Sequence, residues 1–124
     1  MITGIDHVQV AAPPGCEPAA RSFYGGLLEL AEVDKPEVLA ARGGCWFAAG
    51  GQQLHVGVAQ PFTPSARAHP ALHVGDMAAL ETLAARLQAG GYTVEWDAVI
   101  PGTARFYVHD PFCNRLELVA AGSP

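Results

Sequence analysis

The sequence predicts an α+β fold made of two similar halves, and three observations predict it. Apolar residues alternate in short runs that suit strands, with one helical pattern in each half. The order strand, helix, three strands then occurs twice along the 124 residues. Two pairs of ligand-type side chains repeat as well. His7 and His55 are 48 residues apart, as are His69 and Glu117, so the pairs are offset by 62, half the chain.

Residues 5–11 read as a strand, with Val8 and Val10 on one face and His7 and Gln9 on the other. An Ala-Pro-Pro-Gly loop follows at 12–15. Residues 17–29 read as a helix, with Ala20, Phe23, Tyr24, Leu27 and Leu28 at helical spacing and Pro18 in its first turn. Residues 33–41 read as a strand broken by Pro36. Gly43-Gly44 turns into a strand over 45–48, and Gly50-Gly51 makes a hairpin turn into a strand over 53–58. The pattern restarts with a strand at 71–74. Asp76 is the expected N-cap of a long helix closed by Gly90-Gly91. Strands over 92–96, 104–109 and 115–120 complete the second half, the last two joined through Asp110-Pro111. The expected organisation is one domain with a first module over 1–59, a linker over 60–68 and a second module over 69–121.

Composition narrows the function classes. Half the residues are hydrophobic and 15% are charged, which excludes a disordered chain. A lone half would be marginally stable, so the halves should pack together or across a dimer. The net charge is -5 and the seven Lys and Arg residues form no cluster, so neither nucleic acid nor an anionic membrane is an expected partner. No apolar run is long enough for a membrane span, and the N-terminus lacks a signal-peptide pattern. The three cysteines, Cys16, Cys45 and Cys113, are widely spaced and odd in number. They read as reduced thiols of a cytoplasmic protein.

His7, His55, His69 and Glu117 are suitable ligands for a divalent first-row metal: zinc, nickel, manganese or iron. Three neutral imidazoles and one carboxylate leave such an ion with a charge of about +1, enough to polarise a substrate oxygen or acidify a water. In both last strands the ligand candidate faces away from the apolar row. Gln53, His55 and Gly57 oppose Leu54, Val56 and Val58; Arg115, Glu117 and Val119 oppose Leu116 and Leu118. The natural geometry is a curved, partly open mixed sheet, with helices on its apolar side and a polar, concave inside. A histidine in a strand more often serves as a hydrogen-bonded structural residue. The matched spacing and shared face favour the metal reading for the set.

Four stretches resemble the vicinal oxygen chelate superfamily, which includes glyoxalase I, fosfomycin- and bleomycin-resistance proteins and extradiol dioxygenases. They are residues 4–10 (GIDHVQV), Ser22-Phe23-Tyr24 through Leu27–Leu30, residues 69–74 (HPALHV) and residues 110–118 (DPFCNRLEL). The resemblance implies tandem βαβββ modules, a metal held by His7, His55, His69 and Glu117, and a homodimer. In the family pattern, the positions of Glu29 and Cys113 carry glycine. Here they should carry local strain, unless the turns differ.

Around these residues, Gln9 shares the face of His7 and could bind substrate. His73, four residues after His69 on the expected strand, is a substrate contact or a further base, or a polar residue lining the sheet. Arg105 could anchor a carboxylate or phosphate if it faces inward, with Tyr107 beside it. Trp46 reads as core or as part of an aromatic rim. The function implied is a metal-dependent, glyoxalase-like lyase or isomerase in which Glu117 and His55 move protons on a small chelating substrate. Alternatives are an iron-dependent dioxygenase using His7, His69 and Glu117, and a non-enzymatic, bleomycin-type binding protein.

Overall fold

The computed structural model describes residues 1–120. The chain forms two compact units that divide between Pro64 and Ser65. Ala121, the last residue of the expected second module, lies outside the described residues.

The first unit contains β1 (His7–Ala12), a short helix α1 (Glu17–Ala20) continued by a π-helical segment (Arg21–Leu27), β2 (Glu32–Val33), α2 (Glu37–Ala40), β3 (Cys45–Ala49) and β4 (Gln52–Val58). Its strands lie in the order β1-β4-β3-β2. β1 runs parallel to β4 and the other pairings are antiparallel. The second unit contains β5 (Ala71–Val74), α3 (Met77–Ala89), β6 (Glu95–Asp97), β7 (Arg105–His109) and β8 (Arg115–Ala120). Its order is β5-β8-β7-β6, with β5 parallel to β8. Both units are therefore open, mixed four-stranded sheets of one topology, and the fold is α+β with tandem βαβββ modules.

Strand alternation separates the two faces of each sheet. In the first unit Ala12, Cys45, Phe47, Leu54 and Val56 are buried together with Ala20, Phe23 and Tyr24 of the helical segment. In the second, Phe106, Val108, Leu116 and Leu118 are buried with Leu80, Ala84 and Leu87 of α3. Each fully buried leucine or phenylalanine contributes about 1.5–3 kcal/mol. The intervening residues, including His55, Arg105, Tyr107 and Glu117, are thereby turned to the other face.

Three elements differ from expectation. The helix expected over 17–29 changes register at Arg21. Leu28 N–H donates to Phe23 O, five residues back, at 2.9 Å. Gly25 and Gly26 weaken the tight α-ladder at this point, and the wider turn keeps Phe23 and Tyr24 fully buried. Glu29, at φ 57°, ends the segment. The strand expected over 33–41 pairs only at Glu32 and Val33. Pro36 cannot donate to a ladder, and Glu37–Ala40 turns into α2. The strand expected from Tyr92 begins at Glu95. Tyr92 belongs instead to the helix terminus: its N–H bonds Leu87 O at 3.0 Å, Gly91 N–H bonds Gln88 O at 3.0 Å, and Gly91 has φ 92°. This is a Schellman closure. The opposite end of α3 has its expected cap, with Asp76 Oδ1 accepting from Ala79 N–H at 2.8 Å.

The turn before β8 is organised by a buried carboxylate. Asp110 Oδ1 accepts from the Phe112 and Asn114 N–H groups, each at 2.8 Å, and Oδ2 accepts from Asn114 Nδ2 at 2.9 Å. Cys113 passes through this turn at φ 69°. Both positions where the family pattern has glycine therefore keep a left-handed backbone without the glycine that suits it.

Candidate metal centre

In the first unit, register places Gln9 opposite His55 and His55 opposite Trp46. Residues directly opposite share a face. The Trp46 indole lies parallel to the His55 imidazole, at 3.9 Å between centroids and 2° between planes. The His7 ring stacks on His55 at 4.2 Å and 16°. His55 is thus held between two rings. Its Nε2 lies 2.8 Å from Gln53 Oε1. An amide oxygen accepts, so this contact favours a proton on Nε2 and a lone pair on Nδ1. Burial, followed by the neighbouring His7, pushes the His55 pKa below its ordinary value. The imidazole is therefore neutral, the form that ligates a metal. His7 is exposed, with Nδ1 2.9 Å from Asp6 Oδ2. The Gln9 amide lies against Gly57, where an added Cβ would come within 2.3 Å of Gln9 Nε2.

In the second unit, Glu117 stands opposite both Ala71 and Tyr107, while Arg105 stands opposite Asp97 and Val119. Glu117 is buried. Its Oε1 is 3.2 Å from His69 Nε2, and its Oε2 accepts from Arg105 Nη1 at 3.4 Å. Arg105 Nη2 donates to Asp97 Oδ1 at 3.1 Å. His69 Nδ1 is 2.7 Å from the Arg67 carbonyl. A carbonyl can only accept, so the His69 proton sits on Nδ1. His69 Nε2 and Glu117 Oε1 then face each other at 3.2 Å, joined either by an N–H···O hydrogen bond or by a cation that both ligate. Two ligands of one first-row ion stand about 3.0–3.4 Å apart, given bonds of about 2.1 Å. The donor set here fits such an ion. Within neither unit, among the described residues, do three or more His, Cys, Asp or Glu side chains gather as a metal-holding group. Each unit brings one pair.

The other candidates sort by their contacts. Arg105 faces the same side as Glu117 and is held by two carboxylates, with Nε buried and without a partner. Tyr107 is buried, and His69 meets its ring edge-on at 5.5 Å. His73 is exposed and lies opposite Val119, in the row of Arg105. His69 precedes β5 by two residues. The Arg67 contact, rather than strand alternation, therefore fixes its direction. Gln53 and Asp97 are contacts that sequence reasoning did not single out. Gln53 shares the face of His55 and offered a signal. Asp97 meets Arg105 only through the β6–β7 register. Cys16 and Cys45 are buried away from this face, and burial pushes the Cys16 thiol up to about 11. Such thiols pack rather than react.

The fold and these paired donors define a class, and similarity to solved structures agrees with it. A protein from Bacillus anthracis assigned to the glyoxalase family is 49% identical, with 97% of this chain and 96% of that one covered and a TM-score of 0.91. The chain belongs to the glyoxalase family, within the vicinal oxygen chelate superfamily. More distant structures share the fold. Lactoylglutathione lyase from Agrobacterium tumefaciens is 20% identical, with coverage of 97% and 95% and a TM-score of 0.75. A mutant of the fosfomycin resistance protein FosX from Listeria monocytogenes, complexed with Mn(II) and a dihydroxypropylphosphonic acid, is 15% identical, with coverage of 97% and 93% and a TM-score of 0.80. No protein-family model and no curated relative matches the chain. Among the described residues no helix is long and apolar enough to cross a membrane.

Proposed function

We propose that this protein is a metal-dependent, glyoxalase-like lyase or isomerase. His7, His55, His69 and Glu117 are its ligands for one divalent ion: zinc, nickel, manganese or iron. The carrying observation is the approach of His69 Nε2 and Glu117 Oε1 to 3.2 Å, the separation of two ligands of one ion, with the other His69 nitrogen at the Arg67 carbonyl. The neutral, ring-clamped His55 and adjacent His7 supply the matching pair. A bound ion would polarise adjacent oxygens of a small chelating substrate.

The chain's own groups have distinct roles in this reading. Glu117 takes and returns the substrate proton. Arg105 holds its Oε2 and leaves Oε1 toward His69. His55 is the second proton-moving group. Gln9, His73, Tyr107 and Trp46 contact substrate. The lactoylglutathione lyase among the structural neighbours supports a hemithioacetal as the first substrate to try. Free thiols favour a reducing compartment, the cytoplasm, and a homodimer is part of the proposal.

Metal analysis of the purified protein tests this reading. One divalent ion per four-residue site is expected, lost in His69→Ala and Glu117→Gln. No bound ion, and no shift of melting temperature on adding zinc, nickel or manganese, would sink it. Turnover of the methylglyoxal–glutathione hemithioacetal, against oxygen uptake on catechols, separates the lyase from a dioxygenase. Light scattering reads the oligomer.

A further inference from the structure

We propose that Arg115 anchors an anionic group of the substrate, of carboxylate or phosphate type. The role in substrate binding rests on the proposed function; the anion site itself does not. β8 places Arg115 two residues before Glu117, on the same face. Its guanidinium carbon lies 4.0 Å from the centre of the buried Tyr107 ring. The same ring meets His69 edge-on. Arg115, Tyr107, His69 and Glu117 therefore form one continuous surface within the second unit.

Unlike Arg21 and Arg105, Arg115 forms no ion pair among the described residues, and it lies over an aromatic ring. Arg21 is bound by Glu32, and Arg105 by Asp97 and Glu117. Among the described residues no carboxylate forms an ion pair with Arg115, and no acceptor takes its N–H groups. Glu95, opposite Tyr107 in the same row, makes no ion pair with it either. Stacking on an aromatic ring fixes the plane of a guanidinium and leaves its N–H edges outward. A planar fork held this way suits two parallel bonds to a carboxylate or phosphate. Arg105, the arginine that the sequence favoured for this task, already holds two carboxylates with its terminal nitrogens. Arg115 is half-buried and its donor edges are unused.

The test uses the full chain with metal removed by EDTA, titrated with inorganic phosphate at low ionic strength. The arginine Nε–Hε signals are followed by NMR. A saturable shift of the Arg115 signal is expected. Arg115→Met, which keeps an apolar stem over Tyr107, should weaken phosphate binding about tenfold or more. Arg115→Lys, with the charge but without the fork, should fall between the two. Absence of a saturable shift, or equal affinity in wild type and either variant, overturns the proposal. The backbone spectrum shows whether each variant is folded; if Arg115→Met is not, Arg115→Lys decides. Phosphate binding at Arg115 in a protein that never takes up metal would refute the enzyme reading and leave the anion site standing. Metal uptake with phosphate binding indifferent to Arg115 would do the reverse.

Discussion

Replacing Cys113 with glycine should stabilise the protein, although it deletes a side chain. Cys113 is exposed and sits at φ 69°, with its N–H bonded to Asp110 O at 3.0 Å. A residue with a Cβ in that region costs about 1–2 kcal/mol. Glycine removes this strain but adds unfolded-chain entropy worth about 0.4–1 kcal/mol. The difference leaves a net gain of about 0.5–1 kcal/mol. For a urea dependence of about 1–3 kcal/mol per molar, the midpoint should rise by about 0.2–1 M. The two tryptophans lie one in each unit, Trp46 and Trp96. In a Trp46→Phe background, Trp96 fluorescence reports the unit that contains the turn. Cys113→Ala is the control, since it removes the sulfur and keeps the Cβ, and it should gain nothing. A lower midpoint for Cys113→Gly, or equal midpoints for the glycine and alanine variants, would refute the strain argument.

Gly44→Ala should destabilise the first unit by about 3 kcal/mol or more, read by Trp46 fluorescence in urea, because Gly44 has φ 85° and its Cβ would lie 2.1 Å from Val56 O. Glu17 gives a pH dependence. Its Oε2 accepts from Gly44 N–H at 2.6 Å, and that bond holds its pKa below the ordinary 4.5. The lowered folded value means that its stabilisation is complete above about pH 4.5 and is lost as pH falls through the folded pKa. Glu17→Gln should remove this acid-limb slope from a plot of melting temperature against pH. Asp97→Asn should weaken metal affinity about tenfold by calorimetry, because Asp97 holds the arginine that orients Glu117; unchanged affinity would separate Asp97 from the site.

Legibility in the sequence followed the range of the interactions. α3 was readable at both ends, because its cap and closure are made by residues a few positions apart. β8 was readable from end to end, because Leu116 and Leu118 alternate cleanly with Arg115, Glu117 and Val119. The offset of 62 between the donor pairs survives as the shared topology of the two sheets. The π-helical turn was not readable, since its apolar spacing from Ala20 to Leu28 also satisfies an ordinary helix and only the hydrogen-bond register differs. Nor was the engagement of Arg105. Its partners are 8 residues before it and 12 after it, and strand pairing alone brings them together. Arg115 was assigned to the right face, but its value depends on a stacked ring and on what does not pair with it.

The bond from His69 Nδ1 to the Arg67 carbonyl joins a connecting segment to the chemistry. Residues 65–68 form a small turn of their own, with Ser65 Oγ accepting from Ala68 N–H at 3.1 Å. The connector therefore has two stretches of unequal tolerance. New termini opened between Pro64 and Ser65, where the compact units divide, would leave that turn whole. Termini opened two residues later would free the peptide that selects the His69 tautomer. For anyone permuting the chain or exchanging its halves, the seam belongs at Pro64, and Ser65 through His69 should travel with the second half as a single cassette.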